Sequence, residues 1–465
     1  MRENTLVSRF FLMSCIGLSM LFASCSIQKA SEERTDDIRL MTLDPGHFHA
    51  ALIQKSMFEG VDTNVFVYAP EGNEVKAHLA LIERYNSRSE DPTLWNQQVY
   101  TGADFLEKML EEKPGDVVVL AGNNRKKTQY IHKSVENGLH VFSDKPMAIT
   151  EKDFELLRDA FSLAEQNDVL LYDIMTERYE IHSVLQKELA HNADIFGELE
   201  KGTLDNPGIA KSGSHFFYKE VSGAPLIRPV WYYDTQQEGD GLVDITTHMV
   251  DLVQWQTFPD VALDYETDVN MIDAKRWPTQ ITADQFKQST NAETFPDFLQ
   301  KDVKDNVLSV YSNGEMNYTL KGVHVKISVE WNFQAPPGSS DTHLSMMRGT
   351  KANLVIRQGA EQGYKPALFI EPTNKEFSTE QVKSIEQSFV KLQDKYPGIE
   401  LEKQGPSFQV IIPATYKVGH EAHFSMVAEK YIKFLKEGNM PAWEVPNMLT
   451  KYYTTTQALK KALEN

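Results

Sequence analysis

Asp244 and His248 stand four residues apart in the stretch Gly239-Asp240-Gly241-Leu242-Val243-Asp244-Ile245-Thr246-Thr247-His248-Met249-Val250-Asp251. On a helix, that spacing sets both side chains on one face and within reach of each other. A carboxylate beside an imidazole makes a general base that works near neutral pH. A second unusual element, Asp144-Lys145-Pro146, follows the apolar pair Val141-Phe142. Proline disfavours helix at the residue before it, so Lys145 is expected extended or in a turn. A lysine, an aspartate and a histidine in one cleft suit withdrawal of a proton from a substrate hydroxyl, the ammonium stabilising charge on the oxygen. Plainer roles stand beside this one: Asp244 as a helix cap, His248 as a core histidine, Lys145 as a surface cation.

These residues need a scaffold. Residues 38–43, 65–68, 116–121 and 139–142 read as apolar strands, alternating with helical patterns at 49–57, 75–85, 105–112 and 129–137. That alternation predicts a parallel, doubly wound sheet with ligands at the carboxyl ends of its strands. A dinucleotide pyrophosphate would then sit on the first turn, at Pro45, Gly46 and His47. Of the usual three glycines only Gly46 is present, with Asp44 and His49 at the other two positions. His47 and His49 equally suit turn or capping roles. Glu71, after the second strand, is the candidate ribose ligand or a solvated loop charge. Asn123 and Asn124 suit a ribose or an amide, or ordinary turn chemistry.

Past residue 180 the pattern changes. The helix carrying Asp244 and His248 shows an apolar stripe at Ile245, Met249 and Leu252. Strands are predicted at 307–311, 316–320, 323–331 and 353–356, with Ser312-Asn313-Gly314-Glu315 as a turn between the first two. This gives an α+β domain with an open, largely antiparallel sheet. Residues 378–396 and 420–436 read as helices. The second carries His420 and His423, but no third ligand accompanies them, so no metal site is expected.

The 465 residues fit two domains, and 41% hydrophobic with 24% charged residues is ordinary for a folded chain. A formal charge of −19 argues against nucleic acid as a partner. Arg2 and Arg9 precede a short apolar run that ends in Ala23-Ser24-Cys25, the pattern of a secretory leader. Phe22-Ala23-Ser24-Cys25 resembles the lipobox of bacterial lipoproteins, which makes Cys25 the expected lipid attachment. The only cysteines are Cys15 and Cys25, so the exported part has no disulfide and no thiolate chemistry. The expected organisation is a leader at 1–25, a tether at 26–37, a Rossmann-like domain at 38–175 and a substrate and oligomerisation domain at 176–465.

Taken together, these motifs resemble the glucose–fructose oxidoreductase and inositol dehydrogenase (Gfo/Idh/MocA) family. Asp144-Lys145-Pro146 is similar to that family's Glu-Lys-Pro element. Residues 239–251 are similar, in register, to its Gly-Gly-x-x-x-Asp-x-Gly-x-His-x-x-Asp motif, with Asp240 and Thr246 replacing glycines. Residues 169–179 and Met347-Arg348-Gly349-Thr350-Lys351-Ala352 are similar to two further family segments. The resemblance implies that His248 is the base, Lys145 binds the reacting oxygen and contacts cofactor, and Asp244 binds substrate or orients His248. Arg178 and Tyr232 are the further candidates for substrate contact. It implies NAD or NADP as cofactor, a carbohydrate or polyol substrate and a homo-oligomer; export, away from free NAD, adds that the cofactor is tightly held. The leader adds a lipid anchor facing the periplasm or cell surface of a Gram-negative bacterium. Two alternatives accompany this: a glycosidase working by transient oxidation and elimination, and a carbohydrate-binding lipoprotein without catalysis.

Overall fold

The computed structural model describes residues 37–221 and 224–464. The expected leader with Cys25, and residues 26–36 of the expected tether, lie outside them.

Apolar runs build most of the first sheet, because a strand covered on both faces has no room for polar side chains; the edge strand at residues 96–101 is polar and largely exposed. Its strands are β1 (Ile38–Leu43), β2 (Val61–Ala69), β3 (Asn96–Thr101), β4 (Val117–Leu120), β5 (His140–Asp144) and β6 (Leu171–Ile174). All pair parallel, in the order β3-β2-β1-β4-β5-β6. In this doubly wound order the ligand crevice lies between the carboxyl ends of β1 and β4. The connecting helices are α1 (His49–Leu52), α2 (Asn73–Ser87), α3 (Phe105–Glu112), α4 (Lys127–Glu136) and α5 (Glu151–Gln166). The pattern predicts α1 out to residue 57, but the helix ends after one turn. Phe48 at its N-cap offers no side-chain acceptor, so its first N–H groups lack the usual support.

The chain then runs through α6 (Ile181–Ala190), β7 (Ile209–Tyr218), the short pair β8 (Glu220–Val221) and β9 (Ala224–Pro225), α7 (Thr246–Thr257), α8 (Tyr265–Asp268), β10 (Val269–Thr282) and α9 (Ala283–Thr290). Next come β11 (Val303–Lys304), β12 (Val307–Leu320), β13 (Val323–Gln334), β14 (Thr342–Arg348), β15 (Ala352–Gln358), β16 (Ala367–Pro372), α10 (Thr379–Lys395), β17 (Glu400–Gln404) and β18 (Ser407–Ile411). They form a second sheet, in the order β10-β12-β13-β7-β14-β15-β16-β18-β17, with β11 on β12. The β13–β7 pair is parallel, and the other pairs are antiparallel.

One predicted turn is absent. Ser312 to Glu315 lie inside the long strand β12, paired to β10 across two register shifts. Gly314 is there for close packing: a Cβ would stand 2.5 Å from Leu242 Cδ2. Asn313 accepts from the Trp331 N–H at 2.6 Å, so its amide serves the sheet.

The last two helices, α11 (His420–Glu437) and α12 (Glu444–Glu464), return to the first sheet. Phe424, Val427, Tyr431, Met448 and Tyr452 join its apolar core, and Tyr431 stacks on Phe142 with ring centroids 4.4 Å apart. A buried ionic network ties the two halves together. Arg178 clamps Asp251 through two 2.7 Å bonds and reaches Glu444 at 3.0 Å. Lys451 bridges Asp251 and Asp173. This network fixes α7, and with it His248, against the end of β6. No helix among the described residues is long and apolar enough to cross a membrane.

Candidate active site

The strand β5 ends at Asp144, and the next residue, Lys145, points across the cleft. Its Nζ donates to Asp244 Oδ1, which lies in the turn that leads into α7. Both side chains are nearly enclosed, at 11% and 9% exposure. Burial alone would depress the lysine pKa, but the charges of Asp244, Asp144 and Glu238 outweigh it and hold it above the usual value. Lys145 is therefore a permanent cation. The close approach of Gly241 to the second sheet sets the turn: a Cβ there would lie 2.1 Å from the Ser312 carbonyl oxygen.

Asp244 is not the partner of His248 that helical spacing suggests. Helix α7 begins only at Thr246, so Asp244 falls in the preceding turn and its carboxylate turns to Lys145. His248 Nδ1 is buried without a hydrogen-bond partner. Burial and then the Lys145 charge lower the His248 pKa to about 4. Its imidazole is thus neutral at neutral pH and free to take a proton. The carboxylate–imidazole pair in this cleft is a different one: His49 Nδ1 meets Asp144 Oδ2 at 2.9 Å.

Two groups escape the motif reading. Glu238 is pushed up to about 8 by burial and then by the Asp244 charge, so it holds a proton near neutral pH. Burial lowers Lys127 to about 8, and its Nζ donates to the Asp144 carbonyl at 3.1 Å. A protonated carboxyl and a weakly basic amine flanking Lys145 are what acid–base sites collect. Glu238 directly precedes the Gly239 motif, and that adjacency was the one available signal. Lys127 carried none, since it reads as an ordinary helix lysine.

The first turn does not fit a dinucleotide pyrophosphate. Such a group needs free main-chain N–H donors and space in the crevice. Here the Gly46 N–H goes to Asp44 O at 2.9 Å, and the His47 N–H to Ala121 O at 3.2 Å. The His49 N–H meets His47 Nδ1 at 3.3 Å, and Pro45 has no N–H. The floor of the crevice is tightly packed as well. A Cβ on Gly122 would stand 2.4 Å from Asp44 O, and one on Gly46 would stand 3.5 Å from the Trp231 ring. Trp231 Nε1 donates to Glu74 Oε1 at 2.6 Å. Asp44 and Glu74 thus set two carboxyl groups beside the place where phosphate charge would go, and burial raises both pKa values. Asp44 itself takes φ 49°, a left-handed conformation that aspartate tolerates better than most residues.

Other expected contacts are also reassigned. Glu71 is exposed, and the acid facing the first turn is Glu74. Asn123 Nδ2 donates to Gln237 Oε1 at 2.7 Å and Asn124 Nδ2 to Glu238 O at 2.6 Å, so both amides bind the opposite wall. Arg178 is buried in the ionic network, its donors directed at Asp251 and Glu444 and away from the cleft. Tyr232 is buried under the Arg228 guanidinium, 4.2 Å from its ring centroid, and its hydroxyl feels Glu238 and Asp244. Near His49, His420 Nδ1 lies 3.4 Å from Glu177 Oε1, and the Glu177 charge also reaches His248.

Comparison with known proteins now bears on the chain. Residues 45–173 match the "Oxidoreductase family, NAD-binding Rossmann fold" (GFO_IDH_MocA), and residues 185–463 match the "Putative oxidoreductase C terminal domain". The chain belongs to the Gfo/Idh/MocA oxidoreductase family. It is similar to a solved structure from Parabacteroides merdae ATCC 43184 described as "a putative oxidoreductase", with 52% identity over 92% of this chain and 98% of that one, and a TM-score of 0.91. More distant family-like folds include a 3-ketoreductase from Actinomadura kijaniata in complex with TDP-benzene and NADP, at 14% identity, 90% and 96% coverage and a TM-score of 0.53. Biliverdin reductase from Synechocystis sp. PCC 6803, in complex with biliverdin and NADP+, is 11% identical over 91% and 98%, with a TM-score of 0.55. These two share the fold alone. No curated protein matches the chain.

Proposed function

We propose that this member of the family acts on a carbinol or carbonyl carbon of a sugar or polyol held between the two sheets. The observation that carries the reading is the joining of Lys145 to Asp244 beside a neutral, unpartnered His248. A hydroxyl seated there loses its proton to His248. Lys145 stabilises the charge left on oxygen, and Asp244 holds Lys145 in place and can accept from a neighbouring hydroxyl. Glu238, protonated near neutral pH, is the acid on the same wall. The NAD-binding Rossmann fold supports NAD or NADP as the cofactor, its tight retention runs against the engaged N–H groups of the first turn, and no part of this acid–base assignment depends on it.

The engaged N–H groups of the first turn favour a second reading, in which the protein binds carbohydrate, or moves protons on it, without a nucleotide. One preparation separates the two. Small molecules released from denatured native protein are identified by mass spectrometry, and a panel of sugars and polyols is incubated with the protein, with and without added NAD or NADP. A released dinucleotide, with keto-sugar products that vanish in Lys145→Met, supports oxidoreduction. Sugar binding with neither supports the second reading, and no sugar effect of any kind sinks both.

Export is part of the proposal: a leader cut before Cys25, with lipid on that residue. Labelling with a radioactive fatty acid, lost in Cys25→Ala, tests it. A homo-oligomer is proposed as well, and light scattering of the purified chain tests that.

A further inference from the structure

We propose that His47, His49 and Asp144 form a binding site for one divalent transition-metal ion, of the zinc, iron(II) or manganese class. One ligand atom from each of the three lies within 4.8 Å of the other two. His49 Nδ1 and Asp144 Oδ2 are already 2.9 Å apart. Two ligands bound at about 2.1 Å to a common ion stand about 3.0 Å apart at an octahedral edge and about 3.4 Å apart at a tetrahedral one, so this edge of the site needs little opening. The His47 and His49 rings meet edge-on, with centroids 4.0 Å apart. Only the His47 ring has to close in, and its Nδ1 is held by a long 3.3 Å main-chain contact that yields easily.

The donor set decides the class of ion. Two imidazoles and one carboxylate suit zinc, iron(II) and manganese, and three protein ligands leave coordination positions open. A structural His–Asp pair would need one histidine, whereas here a His-x-His turn aims two rings at one carboxylate. Further donors stand close by, since the His420 ring lies 5.9 Å from that of His49 and beside Glu177.

The opposing charges are Lys127 and Lys145, both of which face His47 and disfavour a cation there. Asp244 neutralises Lys145, and the Lys127 ammonium is directed at the Asp144 main-chain oxygen. The site occupies the carboxyl end of the first sheet, beside the crevice where a pyrophosphate has no cradle. It does not rest on the proposed sugar chemistry, because metal content is read without substrate.

The test uses the full chain, expressed without a histidine tag and purified without chelator. Elemental analysis is expected to find about one transition-metal ion per chain. After chelation and dialysis, cobalt(II) titration is expected to give saturable visible absorption bands from nitrogen and oxygen ligation. His47→Ala and Asp144→Asn are expected to weaken cobalt and zinc binding at least 30-fold, and His132→Ala, at a surface pair with Asp159, to leave it unchanged. His47→Ala keeps the His49–Asp144 pair, and its metal-free melting temperature shows whether it folds. Equal titration of the native chain and His47→Ala, or no binding at millimolar zinc, overturns the proposal.

Discussion

Lys145 and Asp244 are 99 residues apart in the chain and form one enclosed ion pair across the cleft. Each side chain is about a tenth exposed, so solvent screens the pair little. Asp244→Asn strands a buried ammonium and is expected to cost about 3–5 kcal/mol in denaturant unfolding. Combining it with Lys145→Met is expected to recover most of that stability and none of the activity. A double variant as unstable as the sum of the singles would remove the pair from the argument.

His248→Asn is expected to lower turnover by about 10²–10⁴-fold, the range for losing a positioned base. In the native chain the acid limb of the rate profile should fall near pH 4, because the imidazole is neutral above that value. An acid limb near 6.5 would mean that His248 is neither desolvated nor beside Lys145. The sign for stability follows. Between pH 6.5 and 4 the unfolded chain binds a proton that folded His248 does not, so stability falls as pH drops through that window. His248→Asn should lose less stability there.

Glu238 works in the opposite direction. Its folded pKa of about 8 exceeds the usual value of 4.5, so the folded chain keeps a proton that the unfolded chain releases. Stability attributable to this residue therefore declines as pH rises from 4.5 to 8 and is level above that. Glu238→Gln, a mimic of the protonated acid, should be more stable than the native chain at pH 8 and little different from it at pH 4. Urea melts at the two pH values read this difference. No gain at pH 8 would mean that the carboxyl is ionised.

Arg178 separates a structural role from a substrate role. Arg178→Met leaves Asp251 and Glu444 short of a buried counter-charge and is expected to cost about 3–5 kcal/mol. A substrate ligand would behave otherwise, raising KM with the melting temperature unchanged.

Gly241→Ala should destabilise by about 1–3 kcal/mol or more, because the new methyl meets the Ser312 carbonyl and neither backbone can move freely. The same change at Gly322, where no atom stands near an added Cβ but φ is +79°, tests backbone strain alone. Near-equal losses at both sites, measured by thermal unfolding, would show that packing at Gly241 is not special.

Periodicity exposed β1, β2, β4 and β5 because each carries a short apolar run, but it gave no sign of β3, the polar edge strand Asn-Gln-Gln-Val-Tyr-Thr. The long strands of the second sheet were harder to see. β10 carries Asp273, Lys275 and Arg276 and has half-exposed faces, so it shows no clean alternation. β12 hides behind an Asn-Gly pair that serves packing and a bulge. Within the site, the motif residues Lys145, Asp244 and His248 were legible by type. The pairing among them was not, since it depends on α7 starting two residues after Asp244. The meeting of His47, His49 and Asp144 is tertiary: β1 and β5 are brought together by β4 between them, and no local spacing encodes that.

The final helix seats residues in the cores of both sheets: Met448 and Tyr452 in the first, Ala458 in the other. A ribosome must therefore deliver the chain past residue 458 before the cores of both halves are complete. A nascent form stalled before residue 444 would leave a greasy sheet face open to chaperones.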